Sequence, residues 1–251
     1  MFEGVRVAAE GRTTVSRFAR TVARVGFDGM VVRNSQADPA TYDPDTLADR
    51  YGMDVVVGFE IDTTDKAVAS GAIGNRRPEV DVLLLRGRTP ELNRYGAENP
   101  RVDVLADPMG GEGDVNHVIV EAAADNRVAL EVNLGHVLRL TGGARVQALR
   151  DLRKLRELVD AYDAPFVVSA APETHLQVRA PREILALGAE IGFEPEAIRR
   201  GLERWGTIAA RNSRRRDPDF VAPGVRVETE PEDSDAGGRV DDQSDSTEES
   251  R

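Results

Sequence analysis

The chain has 251 residues, 40% of them hydrophobic and 5% aromatic, with no cysteine and a formal net charge of −11. That length suits one large domain, and the missing cysteines exclude disulfides, thiolate zinc sites and thiol nucleophiles. No apolar run approaches the ~20 residues that span a bilayer and no apolar signal segment opens the chain, so the sequence predicts a soluble, cytoplasmic protein with no membrane partner.

The first predicted strand is Val5–Ala9, followed by a helix over Thr14–Val25 with Val15, Phe18, Val22 and Val25 on one face. Strands follow at Gly29–Arg33, Asp54–Ile61, Asp81–Arg86 and Val102–Ala106, with the segment around Ala72–Pro78 irregular. A helix over Asn116–Asn126 leads to a strand at Val128–Asn133. The helix over Arg145–Tyr162 places Val146, Leu149, Leu152, Leu155 and Val159 at spacings of three and four. After the strand Phe166–Ser169 come helices over Pro181–Ile191 and Pro195–Ile208, each opened by a proline suited to a first turn. Val55-Val56-Val57, Val82-Leu83-Leu84-Leu85 and Phe166-Val167-Val168 are continuous apolar runs, the mark of parallel strands buried on both faces. The fold class is therefore α/β, a TIM-barrel-like (β/α) barrel of about seven parallel strands over residues 1–216.

Beyond Arg216 the texture changes. Phe220, Val221, Val225 and Val227 allow a short extended piece, and from Glu228 onward almost nothing is apolar, which predicts a disordered tail. Residues 217–251 hold 12 acidic and 3 basic residues, so residues 1–216, with 32 acids against 30 bases, are nearly neutral. Only Lys66 and Lys154 are lysines; the other basic residues are arginines. Abundant Asp with almost no Lys suits a high-salt organism, because at ~1 M salt the Debye length is only about 3 Å and repulsion among acids is weak.

In a β/α barrel, chemistry sits at the C-terminal ends of the strands. Those positions offer Arg33-Asn34, Glu60, Asp62, Arg86, Asp107, Glu131, Asn133 and Ser169. A metal site can be drawn from Glu60, Asp107, Glu131 and His136, but the blander expectation is that these acids pair with Arg33 and Arg86 in the barrel mouth. Only three histidines exist, His117, His136 and His175, and no His-x-His follows the first strand. Asp107-Pro108-Met109-Gly110-Gly111-Glu112-Gly113 lacks both the dinucleotide spacing and the P-loop lysine. Ser169 with His175 has no matching acid and no elbow glycines. The sequence thus supplies no catalytic residue and no metal ligand set. Two basic clusters stand out instead, Arg139, Arg145, Arg150, Arg153, Lys154 and Arg156, then Arg199, Arg200, Arg204, Arg211, Arg214, Arg215 and Arg216. Arginine suits RNA, since its planar fork binds phosphate through two hydrogen bonds and stacks on bases.

The order of motifs resembles one family. Ala129-Leu130-Glu131-Val132-Asn133-Leu134 is similar to the "Phe-Glu-Ile-Asn" strand of archaeal ribonuclease P protein component 3. Val167-Val168-Ser169-Ala170-Ala171 resembles its "Ile-Ser-Ser-Gly-Ala" strand end, and Leu176–Val178 with Arg179-Ala180-Pro181-Arg182-Glu183-Ile184 resembles "Leu-Arg-x-Pro-x-Asp-Val". Asp81–Arg86 and Val102–Ala106 are similar to its "Val-Asp-Ile-Ile" strands, and Ile208–Asn212 to its closing segment. Gly135 and Ala170 depart from the pattern. The resemblance, spanning roughly residues 1–212, implies a TIM-barrel-like subunit that assembles with ribonuclease P RNA beside a Pop5-type subunit. The RNA would remove the 5′ leader of precursor tRNA with Mg²⁺, and the chain itself would bind no cofactor. Arg33, Arg86, Arg139, Arg145, Arg179 and Arg182, at strand ends or on the following loops and helices, are expected RNA contacts, with Arg211, Arg214, Arg215 and Arg216 next. The rival reading is a metal-dependent barrel hydrolase of the PHP kind.

Overall fold

A computed structural model describes residues 1–216 and, beyond them, only the backbone of Phe220–Ala222 and Val225–Arg226. The expected disordered stretch from Glu228 lies outside the described residues. The chain falls into two units, Met1–Arg216 and Asp217–Arg251. In the second, β8 (Phe220–Ala222) and β9 (Val225–Arg226) form a small antiparallel pair.

In the first unit, β1 (Phe2–Val7), β2 (Gly29–Ser35), β3 (Asp54–Ile61), β4 (Val82–Arg86), β5 (Val104–Ala106), β6 (Ala129–Asn133) and β7 (Phe166–Ser169) pair in chain order, all parallel. The connecting helices are α1 (Val15–Arg24), α2 (Pro44–Tyr51), α3 (Lys66–Arg76), α4 (Pro90–Ala97), α5 (His117–Asn126), α6 (Gly135–Arg139), α7 (Gly142–Ala161), α8 (Pro181–Ile191) and α9 (Pro195–Arg216). Seven parallel strands with helices outside are the TIM-barrel-like architecture the sequence predicts.

Several boundaries move. The first strand starts at Phe2, three residues before the predicted start, because Phe2–Val7 pairs residue for residue with Gly29–Asn34. The segment around Ala72–Pro78 is not irregular: α3 runs to Arg76 and a 3₁₀ turn covers Arg77–Glu79. There Arg77 binds the Asp103 carboxylate and donates to Val80 O at 2.7 Å. Arg139 ends the short helix α6 instead of lying in a loop, and α9 continues past Ile208 to Arg216. Helices α2, α3 and α4 are absent from the predicted elements, yet each opens on a strong cap. Asp43 accepts from Thr46 N at 3.1 Å, Asp65 from Ala67 N at 2.7 Å, and Thr89 from Leu92 N at 3.2 Å. Such side chains satisfy backbone donors that the first helical turn leaves open.

Strand alternation sorts the core into two shells. Outward residues such as Val32, Ile61, Leu83, Leu105, Leu130 and Val168 pack under helix residues Phe18, Ile73, Leu92, Ile119, Leu155 and Ile198. Inward residues Val31, Val56, Val82, Leu84, Val104, Ala129 and Val167 form a separate cluster with Trp205, Ile208 and Ala209 of α9. Thus α9 contributes to the barrel interior itself. Gly4 makes this possible: a Cβ there would lie 3.2 Å from Arg33 Cδ and 3.3 Å from Trp205 Cζ2.

β1 and β7 are not joined by a strand ladder among the described residues. A buried carboxylate and a backbone hydrogen bond close the seam. The buried Glu3 carboxylate accepts from Ser169 Oγ at 2.5 Å and Ala170 N at 3.1 Å, and Arg6 N donates to Pro172 O at 2.9 Å. No cation hydrogen-bonds to Glu3 among the described residues, and burial pushes its carboxyl up to about 7 despite the hydrogen bonds it accepts. The folded chain therefore keeps a proton that the unfolded chain releases from pH 4.5 upward. This contribution to stability is fully present below pH 4.5 and is lost as pH rises through about 7. In denaturant titrations the wild type is expected to lose about 3 kcal/mol over that window, at ~1.4 kcal/mol per unit. Glu3→Gln should flatten the profile; an equally steep variant would remove Glu3 as its source.

Candidate functional site

The barrel mouth is built by inward side chains at the C-terminal strand ends. Arg6 of β1 donates from Nε and Nη2 to both oxygens of Glu60 on β3, each at 3.1 Å. Arg33 of β2 lies between two strands' carboxylates. Its Nε meets Glu60 Oε2 at 2.9 Å, and its Nη1 and Nη2 meet Glu131 of β6 at 2.5 and 3.2 Å. Glu131 Oε2 also accepts from Asp107 N at 2.8 Å, fixing the backbone after β5 at φ 49°, left-handed for a non-glycine residue. Arg86 of β4 reaches Asp62 at 3.0 Å and Asp107 at 3.3 Å, and Arg88 grips Asp62 through two bonds of 2.6 Å. His136 Nε2 lies 2.8 Å from Asp107 Oδ1.

Burial pushes the Glu60 and Asp107 carboxyls up, but the facing cations outweigh it. Arg33, Arg6 and Arg86 hold Glu60 at about 2, and His136, Arg6 and Arg86 hold Asp107 well below the usual carboxylate range. The acids drawn as a metal set do converge, yet Arg33 stands between Glu60 and Glu131, so the blander pairing with Arg33 and Arg86 is what the fold forms. Among the described residues no group of three His, Asp or Glu side chains is placed to hold a metal ion. Ser169 and His175 do not meet either: Ser169 Oγ donates to Glu3, and His175 Nδ1 lies 3.1 Å from Thr13 Oγ1.

The expected RNA-contact arginines do not share one surface. Arg33 departs from the expectation of a free strand-end cation: its side chain is 0% exposed and spent on two carboxylates. Arg86 is 19% exposed and also committed to acids. Arg139 is half-buried with Nη1 on Ala170 O at 2.9 Å, and Arg179 donates to Val178 O at 3.0 Å. Arg145 and Arg182 are exposed at the starts of α7 and α8, on the mouth side. Arg211, Arg214 and Arg215 belong to the other end: Arg211 binds Asp103, which precedes β5, at 2.7 Å, and Arg214 and Arg215 are exposed. The Arg216 side chain lies outside the described residues. Sequence reasoning missed Arg127, which lines one cleft with Arg211 and Arg215 where Asp125 is the one acid. It also gave no role to Arg6 and Arg88. Arg6 was legible from strand parity once β1 begins at Phe2; nothing local marks Arg88.

Among the cavities at the mouth, one of about 470 Å³ touches Arg6, Arg12, Arg33, Arg86, Glu60 and Glu173. Another, of about 250 Å³, lies between the loop after β5 and the first turns of α7.

The chain matches the family model described as RNase P subunit p30 over residues 1–217. It is 52% identical over 242 residues to Ribonuclease P protein component 3 of Natronomonas pharaonis, covering 96% of this chain and 99% of that relative. The corresponding protein of Halobacterium salinarum is 53% identical over 226 residues, covering 90% and 97%. These halophilic relatives fit the acid-rich, lysine-poor composition. A chain of an archaeal ribonuclease P solved with mature tRNA has the same fold, with a TM-score of 0.77 at 21% identity over 92% of this chain and 99% of that one. The histidinol phosphate phosphatase of Lactococcus lactis, solved with zinc, shares the barrel alone, with a TM-score of 0.51 at 10% identity over 77% and 94%. With a family model spanning every strand of the barrel and relatives about half identical along nearly their full length, the chain belongs to the RNase P subunit p30 family, protein subunits of ribonuclease P.

Proposed function

We propose that this subunit supports tRNA 5′-end formation by holding RNA and a protein neighbour, with the cleavage chemistry and its Mg²⁺ residing in the RNA. One observation carries this reading. The mouth, where this fold keeps catalysis, is closed by Arg6, Arg33, Arg86 and Arg88 against Glu60, Asp62, Asp107 and Glu131, while exposed arginines stand on the outer helices. In this network the arginines and carboxylates are committed to one another. Arg145, Arg182, Arg214 and Arg215 have no ion-pair partner among the described residues and are assigned to RNA phosphates. The Pop5-type subunit is the proposed protein neighbour, and the cytoplasm the proposed place of work.

The test is precursor-tRNA cleavage by the cognate catalytic RNA at high salt and limiting Mg²⁺, with the other subunits, plus and minus this chain. Adding it is expected to lower the Mg²⁺ requirement or raise the rate. The combined variant Arg145→Ala, Arg182→Ala, Arg214→Ala, Arg215→Ala should weaken RNA binding. It should also flatten the log–log salt slope by about 1 for each arginine–phosphate pair removed. Unchanged footprints and activity in that variant would withdraw the assignment.

A further inference from the structure

We propose that the cavity between the β5–α5 loop and α7 is a nucleotide site, taking one unstacked RNA nucleotide with its base inside and its phosphate on the N-terminus of α7. This rests on the reading that the chain holds RNA. The cavity, about 250 Å³, has apolar walls from Met109, Leu140 and Ala148, and its acids are engaged: Glu131 with Arg33, Asp107 with Arg86 and His136, and Asp151 with Gln147 Nε2 at 2.8 Å. Its loop wall is built, not slack: Asn93 Nδ2 clamps Pro108 O at 2.7 Å and Asp114 O at 2.9 Å. Apolar walls of this kind receive the face of a base, as aromatic platforms do.

The polar end of the cavity is unfinished. Asn133, 2% exposed, accepts from Gly135 N at 2.9 Å through Oδ1, while its Nδ2 is buried without a partner among the described residues. Buried donors are almost always satisfied, so this amide asks for an acceptor. Beside it His136 uses Nε2 on Asp107, and its Nδ1 makes no hydrogen bond among the described residues. An aliphatic side chain from a protein partner would fill the walls and leave Asn133 Nδ2 unpaired. The carbonyl edge of a nucleobase supplies the missing acceptor.

The phosphate has its own seat. Thr141, the N-cap of the 20-residue helix α7, makes no side-chain capping bond. Gly142 and Gly143 follow, both exposed and with open space where a Cβ would stand, and Ala144 and Gln147 of the same two turns line the cavity. The open N–H groups of a first helical turn and the helix dipole both favour an anion. Arg145, exposed and anchored through Nε to Leu140 O at 2.7 Å, adds a full positive charge at the rim.

Ala144→Trp tests the site, because Ala144 is exposed and its replacement fills the cavity without entering the core. Wild-type and variant full-length chains are assembled with the catalytic RNA and the other subunits. The RNA is then probed by hydroxyl-radical footprinting, and short-wave UV adducts are mapped on the protein by mass spectrometry. The wild type is expected to give a nucleotide adduct on peptides carrying Met109, Leu140 or His136 and to protect a single nucleotide step. The variant should lose both, keep its melting temperature and the remaining footprint, and bind the RNA about ten-fold more weakly. Coincident footprints for the two chains would overturn the nucleotide site while leaving the RNA-holding role intact. So would a photoreactive side chain at position 144 that crosslinks to another protein subunit and not to RNA. A wild-type chain that fails to associate with RNA would sink both.

Discussion

Arg33→Ala is expected to cost about 3–5 kcal/mol, the loss seen when one partner of a buried ion cluster is removed. Among the described residues Arg33 is the one cation that hydrogen-bonds to both Glu60 and Glu131, and all three side chains are at most 7% exposed. Removing it leaves Glu131 with no other guanidinium within hydrogen-bond reach among the described residues and Glu60 with Arg6 and the more distant Arg86, in an interior that solvates charge poorly. Asp107 would also lose its brace, since Glu131 Oε2 holds the Asp107 N–H. Guanidinium unfolding at high salt should show a lower midpoint with an unchanged slope. Neutralising Arg33 and Glu131 together, with Arg33→Met and Glu131→Gln, leaves Glu60 paired with Arg6 and should recover most of the loss. A single variant within about 1 kcal/mol of wild type would mean that water enters the mouth and solvates the orphaned acids.

Trp205→Ala is the second large effect, expected at about 3–5 kcal/mol. Trp205 is 0% exposed, packs with the interior residues of the strands and donates from Nε1 to Val168 O at 2.8 Å. Truncation opens a hole inside the barrel and strips a partner from a strand carbonyl at the seam that no ladder closes. Trp205→Phe keeps most of the volume and loses the donor, so it should cost less, about 1–3 kcal/mol. Thermal unfolding followed by circular dichroism separates the two. If alanine and phenylalanine variants melt together, the hydrogen bond and not the packing is what α9 contributes.

The helices that sequence periodicity missed show where local signals end. α2 buries one residue, Leu47, and α3 buries Ala69 and Ile73, so neither presents a long apolar stripe. Their caps, Asp43-Pro44 and Asp65, were legible; the weak stripe hid them. α1 and the later turns of α7, with buried positions at helical spacing, were legible, but α7 starts at Gly142, three residues before the predicted start, and buries Ala148 while Val146 is exposed.

The parallel strands, the barrel class and the family motifs follow from the sequence alone, because continuous apolar runs and three-to-four spacing are properties of neighbouring residues. What the arginines do was decided by tertiary structure. Arg33 and Arg86 look alike as strand-end cations, yet one side chain is 0% and the other 19% exposed. Arg33 meets Glu60 and Glu131 across 27 and 98 residues of chain. Barrel curvature brings β2, β3 and β6 to one interior level, and no local pattern encodes which carboxylate will stand opposite. The cavity beside α7 has the same origin: Asn133 and Ala144 are near in sequence, but its far wall comes from the loop after β5, held by Asn93 of α4. Burial and pairing are sums over distant neighbours, and only the closed barrel sets those distances.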